Sequence, residues 1–129
     1  MNNRDIGIMF IDGLYKILEH HEVPEYRKEG VSYIFEVELN PAHKVFEGHF
    51  PQEPILPGVV SIRIIKECCE LLKGESVSYS SIGQCKFPSA VNPQKHNNIR
   101  MTISLIDNVL NAEGCSTEGV FIKLKAKIK

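Results

Sequence analysis

Three observations predict an α+β domain in which an antiparallel sheet packs around one long helix. Residues 58–73 carry apolar side chains over more than half of a helical circumference, as expected for a helix buried on more than one side. Alternating apolar and polar residues, typical of strands, occupy most of the remaining chain. Asn, Gly and Pro residues separate these segments, which favours antiparallel strands joined by turns.

The local pattern of each segment predicts its element. Residues 31–39 and 120–128 alternate as strands with one buried face do, and Asp107-Asn108 indicates a turn. Gly114 and Gly119 are expected to separate the last two strands. We predict a short helix at 6–11, a long helix at 58–73, a turn at 24–30, and five or six strands at 14–23, 31–39, 78–88, 98–106, 109–113 and 120–128.

The composition is that of an ordinary globular protein. The 129 residues are 43% hydrophobic and have a formal net charge of −1, from 15 Lys and Arg against 16 Asp and Glu. We therefore expect one domain over residues 1–129, with no affinity for nucleic acid and no membrane span. The N-terminus lacks a signal-peptide pattern, so we expect a cytoplasmic protein.

The four cysteines give no sign of a metal site. Cys68, Cys69, Cys85 and Cys115 form no C-x-x-C pair, and no His stands at metal-ligand spacing from them. Cys68 and Cys69 lie within the predicted helix, where we expect both to act as small apolar core residues. We predict reduced thiols and no metal.

The segment 46–59 contains the most informative motif, FEGHFPQEPILPGV. It puts His49 on a loop shaped by Gly and Pro, and it ends at Pro57-Gly58, where the long helix begins. An imidazole can take up a proton near neutral pH. A helix N-terminus offers free N–H groups and a positive dipole end to a developing oxyanion. Together they predict proton abstraction next to a carbonyl group, such as that of a thioester.

This motif resembles the signature of the beta-hydroxyacyl-acyl carrier protein dehydratases. The similarity lies in GHFP at residues 48–51, Pro54 and PGV at residues 57–59. A second segment, residues 86–93 (KFPSAVNP), resembles the strand of that family that follows the central helix. The resemblance implies the hot-dog fold, a sheet wrapped around a helix, and a dimer whose active site is shared across the interface.

The resemblance also implies roles for individual residues. His49 corresponds to the base of the family, and Gly58 to the residue whose backbone N–H binds the thioester oxygen. The motif residues Phe50, Pro57 and Val59 are expected to bind substrate. Arg63, further along the helix, is expected to do so as well.

One position departs from the family pattern. The family has Glu or Asp fourteen residues after the His, and this chain has Arg63 there. Glu67 follows one helical turn later, about 6 Å along the axis and on the same face. Three interpretations remain open. In the first, Glu67 is the relocated proton donor and Arg63 orients the substrate. In the second, the protein has lost dehydration and keeps only thioester binding. In the third, Arg63 and Glu67 belong to an ordinary solvated stripe with Lys66, Glu70 and Lys73.

The function predicted from these residues is dehydration of a 3-hydroxyacyl thioester carried by acyl carrier protein. The phosphopantetheine arm belongs to the substrate, so no cofactor is expected. Lys44 and the Lys123, Lys125 and Lys127 face are candidate contacts for an acidic carrier, although basic strand faces are more often merely solvated. A homodimer is expected, and a higher oligomer or a heterodimer is compatible. The alternatives are a hot-dog thioesterase and a non-catalytic acyl-thioester-binding subunit that pairs with a catalytic paralogue.

Overall fold

The computed structural model describes residues 9–10, 13–24, 31–47 and 54–129. Within these residues, one α-helix and seven strands make up the regular structure, together with a 3-10 turn at Lys44–Phe46. The elements are β1 Met9–Phe10, β2 Tyr15–Pro24, β3 Val31–Leu39, α1 Gly58–Lys73, β4 Tyr79–Lys86, β5 Asn98–Ile106, β6 Val109–Ser116 and β7 Gly119–Ile128.

All described strands belong to one antiparallel sheet, in the order β1-β2-β3-β5-β6-β7-β4. The helix packs on β5 and β7. The sheet wraps around α1 and buries Ile64, Ile65, Cys68 and Cys69 completely. This is the hot-dog arrangement that the sequence predicted.

The core alternates along the strands, as a sheet with one wet face requires. Phe35 and Val37 of β3 and Met101 and Ile103 of β5 are buried, whereas Arg100 lies on the exposed face. The alternation breaks at several bulges, one of them in β7, where the register shifts between Gly114 and Cys115 of β6. The extra residue is Phe121, so Phe121 and Ile122 are both buried.

The sequence predicted most of these elements closely. The bounds of α1, β3 and β5 agree with the prediction, and β2, β4 and β7 differ from it by one or two residues at an end. Gly74 has φ +70° and donates its N–H to Glu70 O at 2.8 Å, so it ends α1 as predicted. Asp107 and Asn108 both have positive φ, as a tight turn between β5 and β6 requires.

Two predictions about the secondary structure were wrong. Met9 and Phe10, within the predicted helix 6–11, form β1 and pair with Lys16 and Tyr15; the other residues of that segment lie outside the described residues. Periodicity cannot separate a helix from a strand in so short an apolar run. Likewise, residues 25–30 of the turn predicted at 24–30 are outside the described residues.

The second error concerns Gly114, which we expected to separate two strands. It lies inside β6, which continues to Ser116. A Cβ atom at Gly114 would lie 2.6 Å from the Phe121 ring and 2.9 Å from Met101 Sδ. Glycine is therefore required here because side chains of two neighbouring strands pack directly over the backbone.

The two helix cysteines are core residues, as predicted. Both are completely buried, and burial raises the pKa of the Cys69 thiol to about 12 and that of Cys68 well above its ordinary value. In the part of the chain that the structure describes, no three His, Cys, Asp or Glu side chains form a group that could hold a metal ion. Nor does any helix among these residues have the length and apolar character needed to cross a membrane.

Replacing Gly114 by Ala should destabilise the protein by about 1–3 kcal/mol, because the new methyl group overpacks the core against Phe121 and Met101. Gly83→Ala is the matched control, since a Cβ there would make an ordinary contact of 3.7 Å with Lys125 O. We expect the control to change the free energy of unfolding by less than about 0.5 kcal/mol. Urea unfolding of both variants measures this, and equal costs would contradict the packing argument.

Candidate functional site

The N-terminus of α1 is open to a ligand on chemical grounds. Its N-cap is Pro57, which makes no side-chain hydrogen bond, and no acidic residue lies in the first turn. The N–H groups of Val60 and Ser61 both donate to Pro57 O, at 3.0 and 3.2 Å. The preceding amides, of Gly58 and Val59, stand before the first intrahelical bond, where helix N–H groups can bind an anion or an oxyanion.

Gly58 lies directly beneath an aromatic ring. A Cβ at this position would be 2.6 and 2.8 Å from two ring carbons of Phe87. Phe87 follows β4 and is 51% exposed, so the ring covers the helix end while remaining partly in solvent. The absence of a side chain at Gly58 therefore allows close approach to the backbone, and in this structure the approaching group is Phe87.

A cleft of about 450 Å³ opens beside Gly58. This volume lies within the usual range for small-molecule sites. Most of its walls are apolar, and two hydroxyl-bearing residues also line it. The main lining residues are Leu56, Ser61, Phe87, Ser89, Val91 and Phe121. Such a cleft suits a chain that is apolar over most of its length and carries an acceptor near the helix end.

A second cluster forms around Glu67, in the middle of α1. Glu67 is only 8% exposed, and the Tyr15 hydroxyl of β2 donates to its Oε1 at 2.5 Å. That distance is typical of a hydroxyl bonded to a carboxylate. Burial raises the pKa of the Tyr15 phenol far above its ordinary value, and the bond to Glu67 raises it further. Tyr15 therefore keeps its proton and acts as the donor.

Arg63 contacts the other oxygen of the same carboxylate. Its Nε lies 3.4 Å from Glu67 Oε2, and the Arg63 side chain is 61% exposed. The guanidinium thus reaches from a buried carboxylate into solvent. The interpretation of Glu67 as part of a solvated stripe is wrong, because burial and the Tyr15 bond separate it from the exposed members of that stripe.

The two clusters lie on opposite sides of the helix. Glu67 follows Gly58 by nine residues, which at about 100° per residue turns it half a revolution away. The same spacing separates them by about 13.5 Å along the axis. Accordingly Gly58 faces Phe87, whereas Glu67 faces Tyr15. Within one chain the helix N-terminus and the buried carboxylate cannot act on the same atom.

The remaining predicted site residues fall into two groups. His49 and Phe50 lie outside the described residues, so their roles remain predictions. Pro57 is the N-cap of α1 and is half-buried, while Val59 is 76% exposed. His43, which precedes the motif, accepts the N–H of Val45 on its Nδ1 at 2.9 Å and so begins the 3-10 turn at Lys44–Phe46.

Sequence reasoning missed the residues that contact the predicted site from other elements. Tyr15 is separated from Glu67 by 52 residues, and no spacing rule joins them. The only available signal was chemical, since an acid in a largely apolar helix needs a donor from elsewhere. Phe87 had been noted for its resemblance to the family, but its position over Gly58 depends on the path of the chain after β4.

Comparison with known proteins identifies related sequences and folds. The profile of the ApeI-like family, described as ApeI dehydratase, matches residues 25–119. A 3-hydroxyacyl-acyl-carrier-protein dehydratase FabZ of Dinoroseobacter shibae is 36% identical over 66 residues, covering 44% of this chain and 39% of that protein. The FabZ of Caldanaerobacter subterraneus is 28% identical over 91 residues, covering 64% of each chain. The chain thus spans less than two thirds of the length of these relatives.

Solved structures share the fold. An uncharacterized protein from Erwinia carotovora superposes with a TM-score of 0.74 at 21% identity, covering 90% of this chain and 96% of that one. A chain of the dehydratase heterocomplex ApeI:P from Xenorhabdus doucetiae gives a TM-score of 0.67 at 24% identity, covering 86% of this chain and 98% of its own. These matches agree with a hot-dog fold.

Tyr15→Phe should destabilise the protein by about 1.5–3 kcal/mol, because the buried Glu67 carboxylate loses its donor. Tyr79→Phe is the matched control: its hydroxyl also bonds to α1, but to a neutral acceptor, Ile62 O at 2.8 Å. Its loss should cost about 0.5–1.5 kcal/mol. Urea unfolding measures both. In a Glu67→Gln background the cost of Tyr15→Phe should shrink, and an undiminished cost would show that the bond to Glu67 is not its cause.

Proposed function

This chain belongs to the ApeI-like dehydratase family, and from this we propose that it removes water from a 3-hydroxyacyl chain carried on acyl carrier protein. The observation that best supports the proposal is the apolar cleft at the uncapped N-terminus of α1. It provides hydrogen-bond donors for a thioester oxygen next to walls that suit an alkyl chain. The relatives described as 3-hydroxyacyl-acyl-carrier-protein dehydratases support the same substrate class.

The proposed reaction is an elimination that needs a base, an oxyanion site and a proton donor. His49 takes the proton from C2 of the substrate, and the N–H of Gly58 with the helix dipole stabilises the charge on the thioester oxygen. The C2–C3 double bond forms as the C3–O bond breaks. The departing oxygen is protonated through Glu67 and leaves as water. Exchange with solvent then returns His49 and Glu67 to their starting states.

We further propose that two copies of the chain build each site. Gly58 and Glu67 lie on opposite sides of α1, so one copy would supply His49 and Gly58 and the other Glu67 and Arg63. In this arrangement each dimer has two equivalent sites, as a twofold axis requires. Tyr15 holds the carboxylate in position from behind, and Arg63 extends from it toward solvent.

Arg63 is proposed to bind substrate rather than to supply a proton. A guanidinium remains charged in proteins, so it cannot be the acid of the reaction. Its exposed side chain has donors beyond the Nε that faces Glu67, and these suit the oxygen of a leaving hydroxyl or another acceptor on the substrate. The same pair keeps Glu67 Oε2 on the exposed side of the carboxylate.

An unlike partner is the second arrangement that a specific observation favours. The structural neighbour from Xenorhabdus doucetiae is described as a dehydratase heterocomplex. In that case this chain would form its sites together with a related chain. Arg63, in place of the family acid, would distinguish this subunit from its partner. The purified chain alone would then show little turnover.

Turnover of 3-hydroxyacyl-acyl carrier protein, followed by mass spectrometry, tests the function. Wild-type protein should release one water and give the 2-enoyl thioester at one or more chain lengths. His49→Ala should lose at least about 100-fold in rate, the usual contribution of a general base. Glu67→Gln should be similarly slow but folded, since an amide oxygen can still accept the Tyr15 hydroxyl.

Results other than release of water would each change the proposed function. Free acid and carrier thiol as products would indicate a thioesterase. Binding of the acylated carrier without turnover by the purified chain, and turnover after addition of a related chain, would indicate the heterodimer. No reaction and no binding at any chain length would rule out the proposed substrate class.

Replacing Arg63 by Ala should raise KM or lower kcat by roughly tenfold, the loss expected for one charge-assisted hydrogen bond. Its effect on stability should be below about 1 kcal/mol, because the side chain is mostly exposed. Lys66→Ala is the matched control, since Lys66 makes a comparable i,i+4 pair with Glu70 at 3.5 Å. Equal kinetics of the two variants would show that Arg63 has no contact with substrate.

A further inference from the structure

The cleft beside Gly58 contains a buried hydroxyl group that the proposed reaction does not use. Ser61 lies in the first turns of α1, is 1% exposed and is one of the residues that line the cleft. Among the residues that the structure describes, none hydrogen-bonds to this hydroxyl; the Ser61 backbone N–H donates to Pro57 O. Buried hydroxyl groups in proteins are normally paired, so an unpaired one facing a cleft indicates a partner that arrives with a ligand.

A second serine in the same cleft shows the contrast. The hydroxyl of Ser89 donates to Val120 O at 2.8 Å, and Ser89 is exposed. Its hydrogen-bonding capacity is thus met by the protein. The remaining walls near Ser61 are apolar, including Leu56, Val91 and Phe121. Ser61 is therefore the one unpaired hydroxyl among the described residues that line this cleft.

The position of Ser61 specifies which part of a ligand it meets. It stands three residues after Gly58, about 4.5 Å further along the helix axis. If the thioester oxygen binds the Gly58 amide, the next carbons of the acyl chain lie along this first turn of the helix. The group two carbons beyond the carbonyl carbon is C3, which carries the hydroxyl of a 3-hydroxyacyl chain.

We propose that Ser61 is a specificity-determining residue whose hydroxyl hydrogen-bonds to the C3 oxygen of the bound acyl chain. This inference rests on the proposed function for the class of substrate. The site then prefers a 3-hydroxyacyl chain to a saturated chain of equal length, because the saturated chain leaves the Ser61 hydroxyl buried and unpaired. The bond also holds the C3 oxygen in a fixed direction before it leaves.

The test is equilibrium binding of two pantetheine amides of equal chain length, one with and one without a C3 hydroxyl. Nitrogen replaces the thioester sulfur in both probes, which keeps the carbonyl oxygen and makes the C2 proton too weakly acidic for turnover. Isothermal titration with the full chain gives both affinities. We expect wild-type protein to favour the hydroxylated probe by roughly tenfold.

Ser61→Ala should lower this ratio severalfold, with weaker binding of the hydroxylated probe and unchanged or tighter binding of the saturated one, while the proposed contacts of Arg63 and Glu67 with the C3 oxygen remain. Ser89→Ala is the control, because it removes a hydroxyl from the same cleft that the protein already satisfies. Its ratio should stay at the wild-type value. No preference in wild-type protein, a preference that Ser61→Ala leaves undiminished, or one that Ser89→Ala reduces equally would each overturn the proposal.

The same measurements separate this inference from the proposed reaction. A wild-type preference that Ser61→Ala reduces, without release of water from the thioester substrate, supports the role of Ser61 and refutes dehydration by the purified chain. Release of water without any preference refutes the role of Ser61 and leaves dehydration intact. Failure to bind either probe overturns this inference and, together with absent turnover, the proposed function.

Discussion

The hydrogen bond between Tyr15 and Glu67 joins the central helix to the strand β2 and ties one side of the helix to the sheet. A carboxylate that is almost completely buried is tolerated only where donors replace the water it has lost. Tyr15 supplies one such donor, and Arg63 approaches from the exposed side. Because residues on a helix keep fixed angular positions, a helix with Glu67 against Tyr15 turns Gly58 and Ser61 away from Tyr15.

The start and the middle of α1 differ in how their polar groups are paired. At the start of α1 the N-cap Pro57 makes no side-chain hydrogen bond, and among the described residues apolar walls lie beside this helix end. In the middle of α1 both oxygens of a buried acid are paired. The half-turn between them separates the helix start from an anchored carboxylate, and this separation is the physical reason for the proposal that two copies build each site.

The sequence predicted the fold well because the strongest patterns were long. The helix 58–73 and the strands 31–39 and 98–106 have periodicities that no alternative structure accommodates, and their bounds were confirmed. The errors occurred where the pattern was short, as at residues 6–11, or where a glycine was required by packing rather than by a turn, as at Gly114.

The candidate site was predictable only in part. The motif located the helix start and drew attention to Glu67, whereas Tyr15, Phe87 and Ser61 became visible only with the fold. Their importance follows from contacts across the sheet and from burial, and local residue spacing predicts neither. The catalytic role proposed for His49 rests on the motif alone.

The strand order has a consequence for how the chain reaches this structure. The β5-β6-β7 meander can form from neighbouring segments, but β3 must pair with β5, and β4 with β7, across long stretches of chain. Such non-local pairing carries an entropic cost before it gains any stability, and it is typical of small proteins that fold in about milliseconds to seconds. Until both pairings are complete, α1 can pack only on the β5-β6-β7 meander, and part of its wide apolar surface stays exposed to water and to other unfolded chains. Folding of this protein therefore requires that strand pairing be completed before the exposed helices of different chains associate.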